Sequence, residues 1–183
     1  MPLLRCAHHR SPVGLDMYGL SRQFREDANR GNMKLISLTQ GKFAVVDDED
    51  FGRVCQHFWR AVKRYRCWYA HNIVVGYLHR FVLGVEGRTH VDHKDRNGLD
   101  CRRSNLRLAT QSQNMANAAK QAKATSKYKG VYKHSQRSGW VAQIRHNHVV
   151  TTKWFKTEKE AARQYDIWSE SFFGEFARHN DLV

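Results

Sequence analysis

An aspartate followed by a histidine, Asp92-His93, opens the stretch VDHKDRNGLDCRRSNLRLATQSQNMAN, which also carries Asn105 and Asn114. Hydrolysis of a phosphodiester needs an attacking water, a base to take its proton, and a cation to offset charge on the phosphoryl and leaving oxygens. An imidazole with an ordinary pKa of about 6.5 suits the base, which makes His93 the candidate. The Asp92 carboxylate and the Asn114 amide oxygen are hard ligands of the kind Mg2+ or Mn2+ accepts, one ion per site, with water and substrate phosphate filling its remaining positions. A lone DH pair means nothing, and asparagines in SNL and QNMAN ordinarily cap helices or make turns. The spacing of the whole set carries the reading.

The local elements must bring that set together. RTHV reads as a short strand, NGLD supplies a turn, and SNLRLAT returns as the antiparallel partner. Thr110 and Gln113 have capping-box spacing, so a helix starts near Gln111 with Asn114 in its first turn. This hairpin-then-helix plan puts Asp92, His93, Asn105 and Asn114 within reach of one another. A cation at a helix N-terminus opposes the helix dipole, so the Asp92 charge and the DNA phosphates have to offset it, and metal binding without DNA is weak.

With LHRFVLG upstream, the stretch resembles the HNH endonuclease motif in the H-N-N variant found in phage and intron-encoded homing endonucleases. The resemblance implies a ββα-metal element over about 89–121, with His93 as general base and Asp92 and Asn114 as metal ligands. It also implies Asn105 as the catalytic-site clamp that orders the ββα loop, and products with 5′-phosphate and 3′-hydroxyl ends. Cys101 departs from the asparagine expected after LD, weakening a turn contact without touching a catalytic role. Arg102, Arg103 and Arg107 are assigned to DNA phosphates. His79, in LHR, either approaches the site or is a packed core histidine.

Further elements frame this centre. Runs at 34–38 and 42–46 flank the Gln40-Gly41 turn as a hairpin, DDED begins a helical segment through Trp59, and YRCWYAHN alternates like a strand before YLHRFVLG forms a short helix. NMANAAKQAKATSK reads as a helix running into a flexible connector. The last sixty residues offer strands at 128–133, 140–145 and 149–155, then a helix with Thr157 and Glu160 as its capping box. Ala161, Tyr165, Trp168 and Phe172 share one face of that helix, and Gly174 ends it.

This C-terminal part, from SKYKGVYK through GWVAQIRH to EAARQYD, resembles the plant ethylene-response-factor (Apetala-two) DNA-binding domain in the form appended to HNH homing endonucleases. The resemblance implies a three-stranded sheet laid in the DNA major groove with a helix behind it. Its groove-facing positions are Lys129, Tyr132, His134, Gln143, Arg145, Thr151 and Lys153. Several of these are arginine or tryptophan in the plant proteins, so plant-type base specificity does not transfer. Trp140, Trp154, Phe155, Trp168 and Phe172 are assigned to core packing.

The expected fold is therefore α+β: a small β-rich N-terminal platform, the ββα-metal (HNH) catalytic element, and a C-terminal three-stranded antiparallel sheet packed on one helix. The expected division is a dispensable, disordered leader over 1–32, an HNH endonuclease domain over 33–122 and a DNA-binding domain over 123–183.

Composition sets the class. The 31 Lys+Arg against 17 Asp+Glu leave a net charge of +14, spread along the chain and interleaved with 5 Trp, 7 Tyr and 9 Phe. Such a field favours a polyanionic partner, here double-stranded DNA. The sequence holds no run of about 18 apolar residues and no signal-peptide pattern, so no membrane partner and a cytoplasmic site, the host cytoplasm if phage-encoded, are expected. The four cysteines occur without a C-x-x-C pair and read as reduced packing residues. The function expected is a metal-dependent, site-specific DNA endonuclease of homing type, acting as a monomer or weak dimer. The alternative is a non-catalytic DNA-binding regulator or a degenerate endonuclease; an RNA-binding ribosomal type fits the charge alone.

Overall fold

The computed structural model describes residues 33–65, 67–120 and 124–182, so the leader expected over 1–32 lies outside the described residues. The fold is α+β. It divides into two compact units, one running to Arg107 and one from Leu108.

The first unit opens with an antiparallel hairpin, β1 (Met33–Ser37) and β2 (Phe43–Asp47), turned by a 3-10 segment in which Gln40 and Gly41 both take positive φ. Asp48, Glu49 and Asp50 begin α1 (Asp48–Val54), where carboxylates complement the helix dipole. The helix stops at Val54, short of the Trp59 the sequence suggested, because the Trp59 indole folds back and donates to the Val54 carbonyl at 2.9 Å. A second antiparallel sheet has the order β3 (Arg60–Arg64), β4 (Cys67–Asn72), β5 (Gly76–Tyr77) and leads into α2 (Leu78–Leu83). Val46, Val54, Trp59, Leu78, Val82, Cys101 and Leu106 belong to one apolar core. Complete burial of a side chain of this size contributes roughly 1.5–3 kcal/mol. β6 (His90–His93) pairs with β7 (Leu106–Ala109), and the boundary between units falls inside β7.

The second unit holds α3 (Gln111–Asn117), then β8 (Val131–Lys133), β9 (Trp140–His146) and β10 (Val149–Phe155) in the order β10-β9-β8, and α4 (Glu158–Phe173). Both capping boxes read from sequence are present, Thr110 with Gln113 and Thr157 with Glu160. The helix expected to run on through NMANAAKQAK instead ends at Asn117, with Ala118 in an extended conformation. Lys129 explains the stop: its ammonium donates to the carbonyls of Met115, Ala116 and Ala118, taking acceptors that a longer helix would use internally. Ala109 and Ala116 pack in one cluster with Ile144, Tyr165, Phe173 and Phe176, so α3 groups with the C-terminal sheet.

β9 and β10 are joined by two residues, Asn147 and His148, both at positive φ. That two-residue loop fixes the register at Gln143 opposite Thr152 and Ile144 opposite Thr151. Ala142 and Ile144 are buried and Arg145 is exposed, while Val141, on the same face as Arg145, is buried as well.

Candidate active site

Asp92 and His93 end β6, and both are buried. The chain then leaves the strand for a loop over 94–105, longer than the NGLD turn read from sequence. Arg96 takes positive φ and its N–H donates to the His93 carbonyl at 2.9 Å, which bends the chain directly after the histidine. Asp95 and Asn97 cap successive turns: the Asp95 carboxylate accepts from Asn97 N–H at 2.8 Å and the Asn97 side chain accepts from Leu99 N–H at 3.1 Å. Gly98 is where this loop presses on β4. A Cβ there would stand 2.6 Å from the Tyr69 ring and closer still to the Trp68 carbonyl, backbone that cannot give way.

Asn105 spans the loop. Its amide donates to the Asp95 carboxylate at 2.8 Å and to the Asp100 carbonyl at 2.9 Å, while its amide oxygen accepts from Asp95 N–H at 3.0 Å. Its backbone carbonyl accepts from Lys94 N–H at 2.9 Å. One buried side chain thus holds both ends of the segment, and its three polar contacts are made where water is scarce.

Cys101 is fully buried in the core, with its Sγ 4.0 Å from the Gly98 carbonyl three residues back, and burial pushes its thiol well above the ordinary range. Its N–H donates to Val45 O and Val45 N–H donates to Leu99 O, each at 2.8 Å, so β2 anchors the loop from below. Among the described cysteines, Cys55 and Cys67 are half-buried and Cys101 is buried.

The three arginines expected on DNA phosphates each meet a carboxylate of this chain. Arg102 holds Asp100 with Nε at 2.9 Å and Nη2 at 2.6 Å from its two oxygens. Arg103 reaches Asp50 with Nε at 2.8 Å and Nη2 at 2.9 Å, and donates its backbone N–H to Asp47. Arg107 donates to Asp92 Oδ2 from Nε at 2.9 Å and from Nη2 at 2.8 Å. Burial pushes the Asp50 carboxyl up, but hydrogen bonds from Arg103 and Arg53 outweigh it and hold the group below its ordinary value. Asp47, Glu49 and Asp50 lie close enough together to hold an ion, yet Arg53 and Arg103 already balance them, so the cluster reads as an ion-pair network.

His93 sits among rings. Tyr69 lies 5.9 Å and His79 4.9 Å from it, both edge-to-face. Burial lowers its pKa, against the opposing pull of Asp95, Asp92 and Asp100, and the imidazole is thereby kept in the proton-accepting form. Neither ring partner was assigned from sequence. LHR drew attention to His79 without fixing its place, and nothing local marks Tyr69.

For a metal, this structure offers a buried carboxylate that already accepts one cationic group, since Asp92 bonds the Arg107 guanidinium. The donor type fits a hard divalent ion. Asn114, the other ligand expected from sequence, is the fourth residue of α3 and belongs to the second unit.

Strand pairing sorts the residues expected to read DNA. Tyr132, Gln143 and Arg145 share the outer face of the C-terminal sheet, with Thr152 and Trp154 beside them. Thr151 and Lys153 pair with Ile144 and Ala142 and so lie on the opposite face; the Lys153 ammonium sits 5.5 Å from the Phe155 ring centroid. Trp154, assigned to the core from sequence, is 40% exposed, and Gly139 leaves it room, since a Cβ there would stand 2.6 Å from its indole nitrogen. The His134 imidazole accepts from Gln136 N–H and Arg137 N–H, each at 3.1 Å, and so caps its own loop.

Residues 69–116 match the HNH endonuclease family. An uncharacterized HNH endonuclease of Acanthamoeba polyphaga mimivirus is 34% identical over 162 residues, covering 81% of this chain and 80% of the viral protein. No solved structure matches. Nucleases of that family act on DNA and generally use a divalent metal. Among the described residues, no helix is long and apolar enough to cross a membrane.

Proposed function

This chain belongs to the HNH endonuclease family, and on that premise we propose that it is a site-specific DNA endonuclease of homing type, with His93 as general base and Mg2+ or Mn2+ as its ion. The observation that carries the reading is the placement of His93: a buried imidazole next to Asp92 on one strand, in front of a loop that Asn105 ties at both ends. In the proposed reaction His93 takes the proton of a water that attacks the phosphodiester in line. Asp92 and Asn114 are the residues that would hold the ion. Bound there, a divalent cation supplies positive charge against the pentacoordinate phosphorus and the leaving 3′ oxygen. Asn105 acts on the loop, keeping His93 and Asp92 in one geometry.

The proposed division of labour assigns 33–122 to cleavage and 123–183 to DNA recognition. We place the DNA-facing surface on Tyr132, Gln143, Arg145, Thr152 and Trp154, which the strand register puts on one exposed face. The test is a supercoiled-plasmid assay with Mg2+, comparing the wild type with His93→Ala. Metal-dependent nicking that falls about 10²- to 10⁴-fold in the variant is expected. Nicking retained by His93→Ala removes that residue from its role, and DNA binding without any cleavage favours the non-catalytic binder.

A further inference from the structure

We propose that His79 is a positioning residue for His93: its imidazole, set edge-on to the His93 ring inside a cage of tyrosines, holds that ring in one orientation and one tautomer. The inference rests on the reading of His93 as the general base.

The geometry is specific. α2 begins at Leu78, and its second residue, His79, is nine-tenths buried. The His79 and His93 centroids are 4.9 Å apart with the planes at 79°. Tyr77 stacks on His79 at 5.5 Å and 18°, and Tyr69 touches both histidines at 5.8 and 5.9 Å. Such pairs are directional, so rotation of His93 about its χ angles would break two edge-to-face contacts at once.

Packing alone does not account for a histidine here. His79 Nδ1 is buried without a hydrogen-bond partner among the described residues. An unsatisfied polar atom of this kind destabilises the fold, and a phenylalanine would put a ring in the same place without that cost. Unsatisfied buried groups of this kind call for an explanation, and one beside a reacting group points to function. Burial also drives the His79 pKa down to about 3, so it adds no charge against the imidazolium that His93 becomes. What remains is a fixed ring dipole against one face of the base.

The test uses the full chain and two readouts. In imidazole-nitrogen NMR without metal or DNA, wild-type His93 is expected in one tautomer and His79→Phe in a mixture. The melting temperature of His79→Phe is expected at or above wild type, while the nicking rate constant falls about 10- to 100-fold with plasmid affinity unchanged. Unchanged His93 nitrogen shifts in His79→Phe overturn the proposal, as does a rate loss that merely follows a loss of melting temperature. If the wild type nicks no plasmid and the His93 tautomer still responds to His79→Phe, the positioning stands and the endonuclease reading falls.

Discussion

The loop over 94–105 and the outer face of the C-terminal sheet are both rich in polar and basic residues, and they use them in opposite ways. Around the loop Arg102, Arg103 and Arg107 meet Asp100, Asp50 and Asp92, and Asn105 makes its bonds to the loop itself. On the sheet Tyr132, Arg145 and Trp154 stand in solvent. Charge enclosed and hydrogen-bonded builds a rigid site. Charge and aromatic surface left exposed build a contact surface. A strongly basic protein therefore need not bind its partner with every arginine, and here the three arginines around the loop are paired with carboxylates of the chain itself.

The largest effect that would break this contrast belongs to the Asp92–Arg107 pair, whose side chains are 5% and 11% exposed. Arg107→Gln leaves a buried carboxylate without its cation and is expected to cost about 3–5 kcal/mol in urea unfolding. If Asp92 is also a metal ligand, Mn2+ should restore more stability to this variant than it adds to the wild type. A variant that instead unfolds like the wild type and loses DNA affinity would place Arg107 on the contact surface.

Asn105→Ala comes next. It leaves Asp95 N–H and the Asp100 carbonyl without their side-chain partner in the loop, for an expected loss of roughly 1–3 kcal/mol with nicking impaired and DNA affinity unchanged. Full nicking by a destabilised Asn105→Ala would separate loop order from catalysis. On the other region, Trp154→Ala should weaken DNA binding about tenfold while costing little stability, since its ring is 40% exposed. A large drop in stability with affinity intact would return Trp154 to the core, where the sequence alone placed it.

What could be read in advance divides along the same physical line. Both capping boxes are contacts between residues three apart, so local sequence specifies them. The order strand, strand, helix over 90–117 was legible because a hairpin followed by a helix is a local plan. The carboxylate partners were not: Arg103 finds Asp50 from 53 positions away, and no spacing rule reports such a pair. The faces of β10 depended on whether the loop after His146 held two residues or three. A shift of one residue inverts the whole strand, and it moved Thr151 and Lys153 off the face that holds Gln143 and Arg145.

The smallest predicted effects test the contrast inside the second unit, where two basic residues expected on DNA are used differently. Lys129 caps α3 by donating to the carbonyls of Met115, Ala116 and Ala118, whereas Arg145 lies exposed on the outer face of the sheet. Lys129→Met keeps the aliphatic stem and removes the donors, so it should lower stability by about 1 kcal/mol, fraying the last turn of α3. Its effect on DNA affinity should be no larger than that of one distant charge. Arg145→Gln should do the reverse: unfolding unchanged within about 0.5 kcal/mol, and affinity lowered with the salt slope reduced by about 1 if the arginine meets a phosphate. Measuring both variants across salt concentrations decides the point. If Lys129→Met also flattens the salt dependence, its ammonium leaves the helix for the DNA, and the capping seen here belongs to the protein before it binds.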